Sequence, residues 1–110
     1  MLGLRYYMAQ RLSAMVMVPL VLGHLAVMTY AIQGGLSSAE ILSRTQGSIA
    51  WLLFYGTFVL AVSIHAAIGL RVIVHEVTGL RGRGLEAFTW GTGIVLLLMG
   101  GRAVLAVTML

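Results

Sequence analysis

IAWLLFYGTFVLAVSIHAAIGLRVIV, residues 49–74, is an apolar run interrupted by one formal charge, Arg71, near its end. At about 1.5 Å of rise per helical residue it exceeds a hydrocarbon core about 30 Å thick. A run of this length and composition reads as a membrane-crossing helix rather than as the core helix of a soluble domain. Two further apolar stretches, Leu12 to Gln33 and Ala87 to Leu110, meet the same length criterion. The composition agrees: of 110 residues 60% are hydrophobic and 9% charged, with a mean hydropathy of +1.01. A soluble domain carries about a quarter charged residues, so too few charges remain here to clothe a water-exposed surface. The expected fold is all-α and integral to the membrane, a single domain of three transmembrane helices at roughly 7–33, 48–76 and 86–110.

Several function classes fall away. There is no cysteine, which removes disulfides, iron–sulfur clusters held by this chain and covalent attachment of c-type haem. No phosphate-binding glycine loop, nucleophile elbow or H-E-x-x-H helix occurs, and the three acids, Glu40, Glu76 and Glu86, are not paired in sequence. The net charge of +4 comes entirely from arginine; on so apolar a chain it reports membrane topology, not nucleic-acid binding. A cleaved signal peptide is disfavoured, since the first apolar run is too long for an h-region and no A-x-A site follows it.

Arg5 and Arg11 precede or open the first segment, and Arg71, Arg81 and Arg83 gather at the second connection. The first connection carries only Arg44 with Glu40. By the positive-inside rule the N-terminus faces the cytoplasm and the C-terminus lies outside, as expected in a bacterial-type inner membrane. Gly34-Gly35 ends the first helix, Ser37 to Glu40 reads as a capping box opening a short amphipathic turn, and residues 79–84 punctuate the second connection. Tyr30, Trp51, Tyr55 and Trp90 fall near the expected helix ends, where an aromatic belt belongs.

Ionisable groups inside the membrane are costly, so they carry the functional argument. His24 and His65 both lie well within their segments. Without cysteine, an intramembrane histidine pair points to axial ligation of b-type haem through neutral imidazole nitrogen; the bland reading is helix-to-helix hydrogen bonding or proton relay. Ala61, Ala66, Ala67 and Gly69 around His65 let a flat macrocycle approach, although small residues also serve plain helix packing. Counted inward from Arg11 and Glu76, the two histidines differ in depth by only a few ångströms, about 20 against 16 Å. At 100° per residue His65 and Glu76 share a face, while Arg71 turns about 120° away, toward headgroups or a partner. His75 is read as interfacial, with a quinone contact or proton transfer as the sharper role. Met17 is read as packing, and Pro19 as a kink making room near His24. Arg102 interrupts the third segment; it either snorkels to the interface or pairs with a carboxylate such as a haem propionate.

Arg11-Leu12-Ser13, followed by His65-Ala66-Ala67-Ile68-Gly69-Leu70-Arg71 and then Glu76, resembles the three-helix membrane anchors of succinate dehydrogenase and fumarate reductase: R-x-S, then H-x-x-x-G-[IL]-R with an acid eleven residues after the histidine. The motifs cover roughly residues 7–83. The resemblance implies that His65 is an axial ligand of haem b, that Arg11 lies near quinone and the haem propionates, and that Tyr7, Arg11 and Ser13 line a quinone pocket. Gln10 stands where relatives often have histidine before that arginine, and Tyr7 where they have a quinone-contacting serine. The H-A-x-I-G sequence is also that of the smaller sibling anchor; Arg71 after Gly69-Leu70 favours the cytochrome b subunit. One haem b is expected, and His24 suggests a second on the pattern of two-haem anchors, with Arg102 toward its propionate and sixth ligands from another subunit. The implied partners are a flavoprotein, an iron–sulfur subunit, a second membrane anchor, quinone and lipid, with succinate chemistry on the absent subunits. The competing reading is a non-redox transporter or assembly component using histidines as polar glue or a proton path.

Overall fold

A computed structural model describes residues 3–109 and contains, among them, helices and turns only. Helix α1 runs Leu4–Gln33, α2 Ser38–Thr45, α3 Ile49–Thr78 and α4 Arg83–Thr108. The three long helices are long and apolar enough to cross a membrane. The expected helix limit at Leu110 lies outside the described residues. The long helices also start or end a few residues beyond the limits read from hydropathy. A polar first turn such as that of α1 is invisible to an apolar count, yet it costs a helix little at a water interface.

Local chemistry sets the ends. The Ser37 hydroxyl accepts from the Glu40 N–H at 3.2 Å while Glu40 Oε1 accepts from the Ser37 N–H at 3.1 Å, a complete capping box. The Ser37 backbone N–H, then its hydroxyl, hold the Glu40 carboxyl below the usual carboxylate range, so the box is formed at neutral pH. Helix α3 stops at Gly79, whose φ of 75° suits a residue without Cβ, and α4 starts immediately after Gly82, φ 71°. The chain reverses within that short connection. Pro19 removes one backbone donor, yet α1 continues through it.

Helix α3 is central, with α1 on one side and α4 on the other, and α2 lies against the end of α4. The Gly47 N–H donates to the Thr108 carbonyl at 2.6 Å, tying the first connection to α4. The bundle therefore has an arginine-rich end, where α1 and α4 begin and α3 finishes, and an opposite end capped by α2. Few of the described residues are buried: Ser13 on α1, Thr45 on α2, Ala61, Ser63, Ala67 and Ile68 on α3, and Leu85, Thr89, Val104 and Thr108 on α4. Large apolar side chains such as Leu22, Leu53 and Leu98 face outward, as suits lipid or a partner helix rather than water.

Gly93 and Gly100 are seven residues, two turns, apart on one face of α4. A Cβ at Gly93 would meet Ala67 Cβ at 3.5 Å, and one at Gly100 would meet Val59 Cγ1 at 2.5 Å. The α3–α4 approach thus depends on an absent side chain. Gly100→Ala is expected to destabilise the bundle by about 1–3 kcal/mol through overpacking against a β-branched neighbour. Gly101→Ala, where a Cβ meets open space, is the control for helix propensity. Thermal unfolding of the two variants in detergent checks this; equal midpoints would mean that α3 and α4 are not closely packed there.

The pairing of α1 with α3 fixes their register. Gln10 lies beside Gly69, Ser13 beside His65, Gly23 beside Phe54, and His24 beside Tyr55 and Phe58. Arg11 is consequently level with residues 67–68 and not with Glu76. The depth count from sequence treated those two charges as level; the register displaces them by about eight residues, or about 12 Å. His24 and His65 lie on different levels as a result, about 15 Å apart along the bundle axis.

Candidate functional site

His65 projects from the middle of α3 toward α1 and is half-buried. Its Nδ1 faces the Ser13 hydroxyl at 3.4 Å, and that hydroxyl donates to the Gln10 backbone carbonyl at 3.0 Å. A hydroxyl has one proton. Donated to the carbonyl, the nearer of its two partners, that proton leaves Ser13 Oγ to accept from His65 Nδ1–H, the tautomer in which the lone pair is on Nε2. No hydrogen bond occupies Nε2 among the described residues. A neutral imidazole with Nδ1–H anchored and Nε2 open is the form that binds a metal. Ala61 and Gly69, one turn either side on α3, leave little bulk around the ring. These residues fit axial ligation of a haem iron. Gln10 packs over Gly69 in the same layer, and its Oε1 is buried without a partner among the described residues.

His24 is built differently. Its ring meets Tyr55 and Phe58 edge-on, at centroid distances of 5.9 and 5.6 Å, and its Nδ1 is buried with no hydrogen-bond partner among the described residues. It lines a cavity of about 320 Å³ with Ile41, Thr45, Tyr55, Val59 and Gly100. Two axial ligands of one iron sit within a few ångströms of each other, so the separation of His24 and His65 prevents their sharing an iron within this chain. Arg102 is exposed on α4. The α4 residues beside the His24 cavity are Gly100, Ala103, Val104 and Val107, so the structure does not bring Arg102 and His24 together.

At the arginine-rich end a larger cavity, about 740 Å³, opens between the start of α1, the end of α3 and the start of α4. Tyr7, Arg71, His75, Glu76, Arg81 and Leu85 line it. The His75 ring faces the Leu80 carbonyl from Nδ1 at 2.8 Å; since a carbonyl only accepts, Nδ1 carries a proton and Nε2 is the ring nitrogen left for other contacts. Arg11 is exposed, does not line this cavity, and lies 5.9 Å from the Tyr7 ring centroid one turn away. The expected trio therefore divides: Tyr7 faces the cavity with Arg11 behind it, and Ser13 belongs to the His65 layer.

Arg71 is the clearest difference from the sequence reading, which turned it toward headgroups or a partner. It is turned inward on α4 instead. Its guanidinium pairs with Glu86 Oε1 at 2.8 Å, donates to Thr89 Oγ1 at 3.1 Å and lies 4.2 Å over the Tyr6 ring. Tyr6 in turn donates to Glu86 Oε2 at 2.7 Å. Side chains from all three long helices thus meet at this end, and the Arg71 side chain is 14% exposed. The signal for this cluster was available: a lone charge in an apolar segment needs a partner inside protein, and Glu86 on the next segment was the nearest acid across the turn.

The family model of the succinate dehydrogenase/fumarate reductase transmembrane subunit matches residues 2–101, nearly the whole chain. Searches of the curated proteins and of the solved structures return no match. Three membrane-length helices and that match agree on a multi-pass membrane subunit that associates with the other subunits of such a complex. The chain belongs to the family of succinate dehydrogenase/fumarate reductase transmembrane subunits.

Proposed function

We propose that this subunit is the haem b-binding anchor of a succinate:quinone oxidoreductase, serving electron transfer from an iron–sulfur subunit to membrane quinone. The observation that carries the proposal is the hydrogen-bond chain from Gln10 through Ser13 to His65, which presents an open Nε2 in the middle of a membrane helix. Polar glue between helices would use both ring nitrogens within the bundle; here one is left over. Bound at His65, haem b supplies a one-electron iron centre. A flavoprotein and an iron–sulfur subunit would dock at the arginine-rich end, taken as cytoplasmic, and a second anchor subunit would complete the ligand pair.

Quinone is assigned to the cavity at that end. Tyr7 can donate a hydrogen bond to a quinone carbonyl, and Arg71 and Arg81 can stabilise the charge that develops during reduction. Arg11 supports the Tyr7 ring from behind. Apolar walls such as Leu4, Val72 and Leu85 accept the ring of the quinone and keep bulk water from it. A haem on His24 would be a second one, on its own level, because the register separates it from His65. His24→Ala is therefore expected to leave the His65 haem bound. Haem quantified per purified complex tests this: equal loss in His24→Ala and His65→Ala would mean that both serve one iron.

A further inference from the structure

His24 and His65 lie well within α1 and α3, and the structure treats their Nδ1 atoms oppositely. His24 Nδ1 is buried with no partner among the described residues. His65 Nδ1 meets a serine that is 6% exposed and whose hydroxyl lies 3.0 Å from a backbone carbonyl that can take its proton. That serine stands one full helical layer away from the cavity lined by Tyr7, Arg71 and His75. We infer that Ser13 is a positioning residue for the haem, fixing the His65 imidazole as its Nδ1–H tautomer with Nε2 as the ligating atom, and that it takes no part in holding quinone. The inference rests on the haem reading above and assigns within it a residue that the motif alone would send to the quinone pocket.

The physics has three parts. An unliganded imidazole divides its proton between two tautomers, and only one leaves the Nε2 lone pair free; an acceptor at Nδ1 selects it. A hydrogen bond there also raises the basicity of the ligating nitrogen and fixes the ring plane. Ser13 is itself held from both sides, by its bond back to Gln10 within α1 and by burial against α3, which favours it as an acceptor toward His65. The arrangement locks α1 to α3 at the same point, which ties the orientation of the ligand to the packing of the two helices. Removing such outer partners of metal-bound histidines costs about 10- to 100-fold in affinity.

The test is made on the purified complex with Ser13→Ala and with the pair Ser13→Thr and Ser13→Val, which match each other in shape and differ in the hydroxyl. Haem loss to an excess of a haem-scavenging apoprotein is timed, and the electron paramagnetic resonance signal of the oxidised haem, sensitive to axial-ring orientation, is recorded beside the quinone KM. The expected result is haem loss faster by about tenfold or more in Ser13→Ala and Ser13→Val, a changed resonance signal, near-normal behaviour in Ser13→Thr, and an unaltered quinone KM. Wild-type haem retention and signal in Ser13→Ala overturn the inference, as does a raised quinone KM with the haem unchanged. His65→Ala run in parallel separates the two levels: if it keeps its haem, the haem reading falls and Ser13 falls with it. If it loses haem while Ser13→Val behaves as Ser13→Thr, only the role of Ser13 is wrong.

Discussion

His65→Ala is expected to abolish the haem held at His65 while leaving the helices of the subunit in place. The side chain is half-buried and its neighbours along α3, Ala61 and Gly69, are small, so truncation removes a ligand without opening a large void in a tightly packed core. Among the described residues the hydrogen bond lost is the one that His65 Nδ1–H donates to Ser13 Oγ, whose own proton still goes to the Gln10 carbonyl, and a serine oxygen left with an unused lone pair costs less than an unpaired donor. Helix formation depends on the apolar run and on the ends of α3 at Ser48 and Gly79, neither of which changes. The measurement is haem content by absorbance together with helicity by circular dichroism. Full haem content at normal helicity would remove His65 from the ligand set; helicity that collapses with the haem would make it a structural residue first.

Tyr7→Phe is expected to lower quinone reductase turnover about 100- to 1,000-fold, the range seen when one hydrogen-bond donor to a developing oxyanion is lost. The substitution keeps the ring that stacks with Arg11 and that walls the cavity, and removes only the phenolic O–H. Arg11→Leu is expected to have a smaller effect, since the guanidinium lies outside the cavity lining and acts by holding that ring. The order of the two effects is the discriminating observation. Turnover and quinone affinity untouched in Tyr7→Phe would place the quinone elsewhere, and a deeper loss in Arg11→Leu than in Tyr7→Phe would return the arginine to direct contact.

The long apolar runs made three helices legible from sequence, and the Ser37–Glu40 box and the glycines near 79–84 marked the breaks, because each of these signals is local. The depth of His65 within its helix and the small residues beside it were legible too. Register was not. Hydropathy tells where a helix lies, not which residue of the next helix stands beside it, and counting from Arg11 and Glu76 assumed two charges at one level. The polar first turn of α1 carries Arg11 deeper than Glu76, an offset that emerges only when Gln10 meets Gly69 and Ser13 meets His65. The same offset sets Ser13 beside His65 and not among the residues lining the cavity that Tyr7 faces. Arg71 was correctly turned away from His65 by helical geometry, but its destination required knowing that α4 begins directly after Gly82, which brings Glu86 and Thr89 within its reach. Arg102 remains on an exposed face of α4, where a long side chain can reach the interface without a protein partner.

Haem b on His65 is tested by the reduced-minus-oxidised absorbance spectrum of the purified complex. The expected result is a b-type haem difference spectrum that is present in the wild-type complex and whose His65-dependent contribution disappears in His65→Ala. A wild-type complex with no such spectrum, or one whose spectrum is unchanged by His65→Ala, would contradict it.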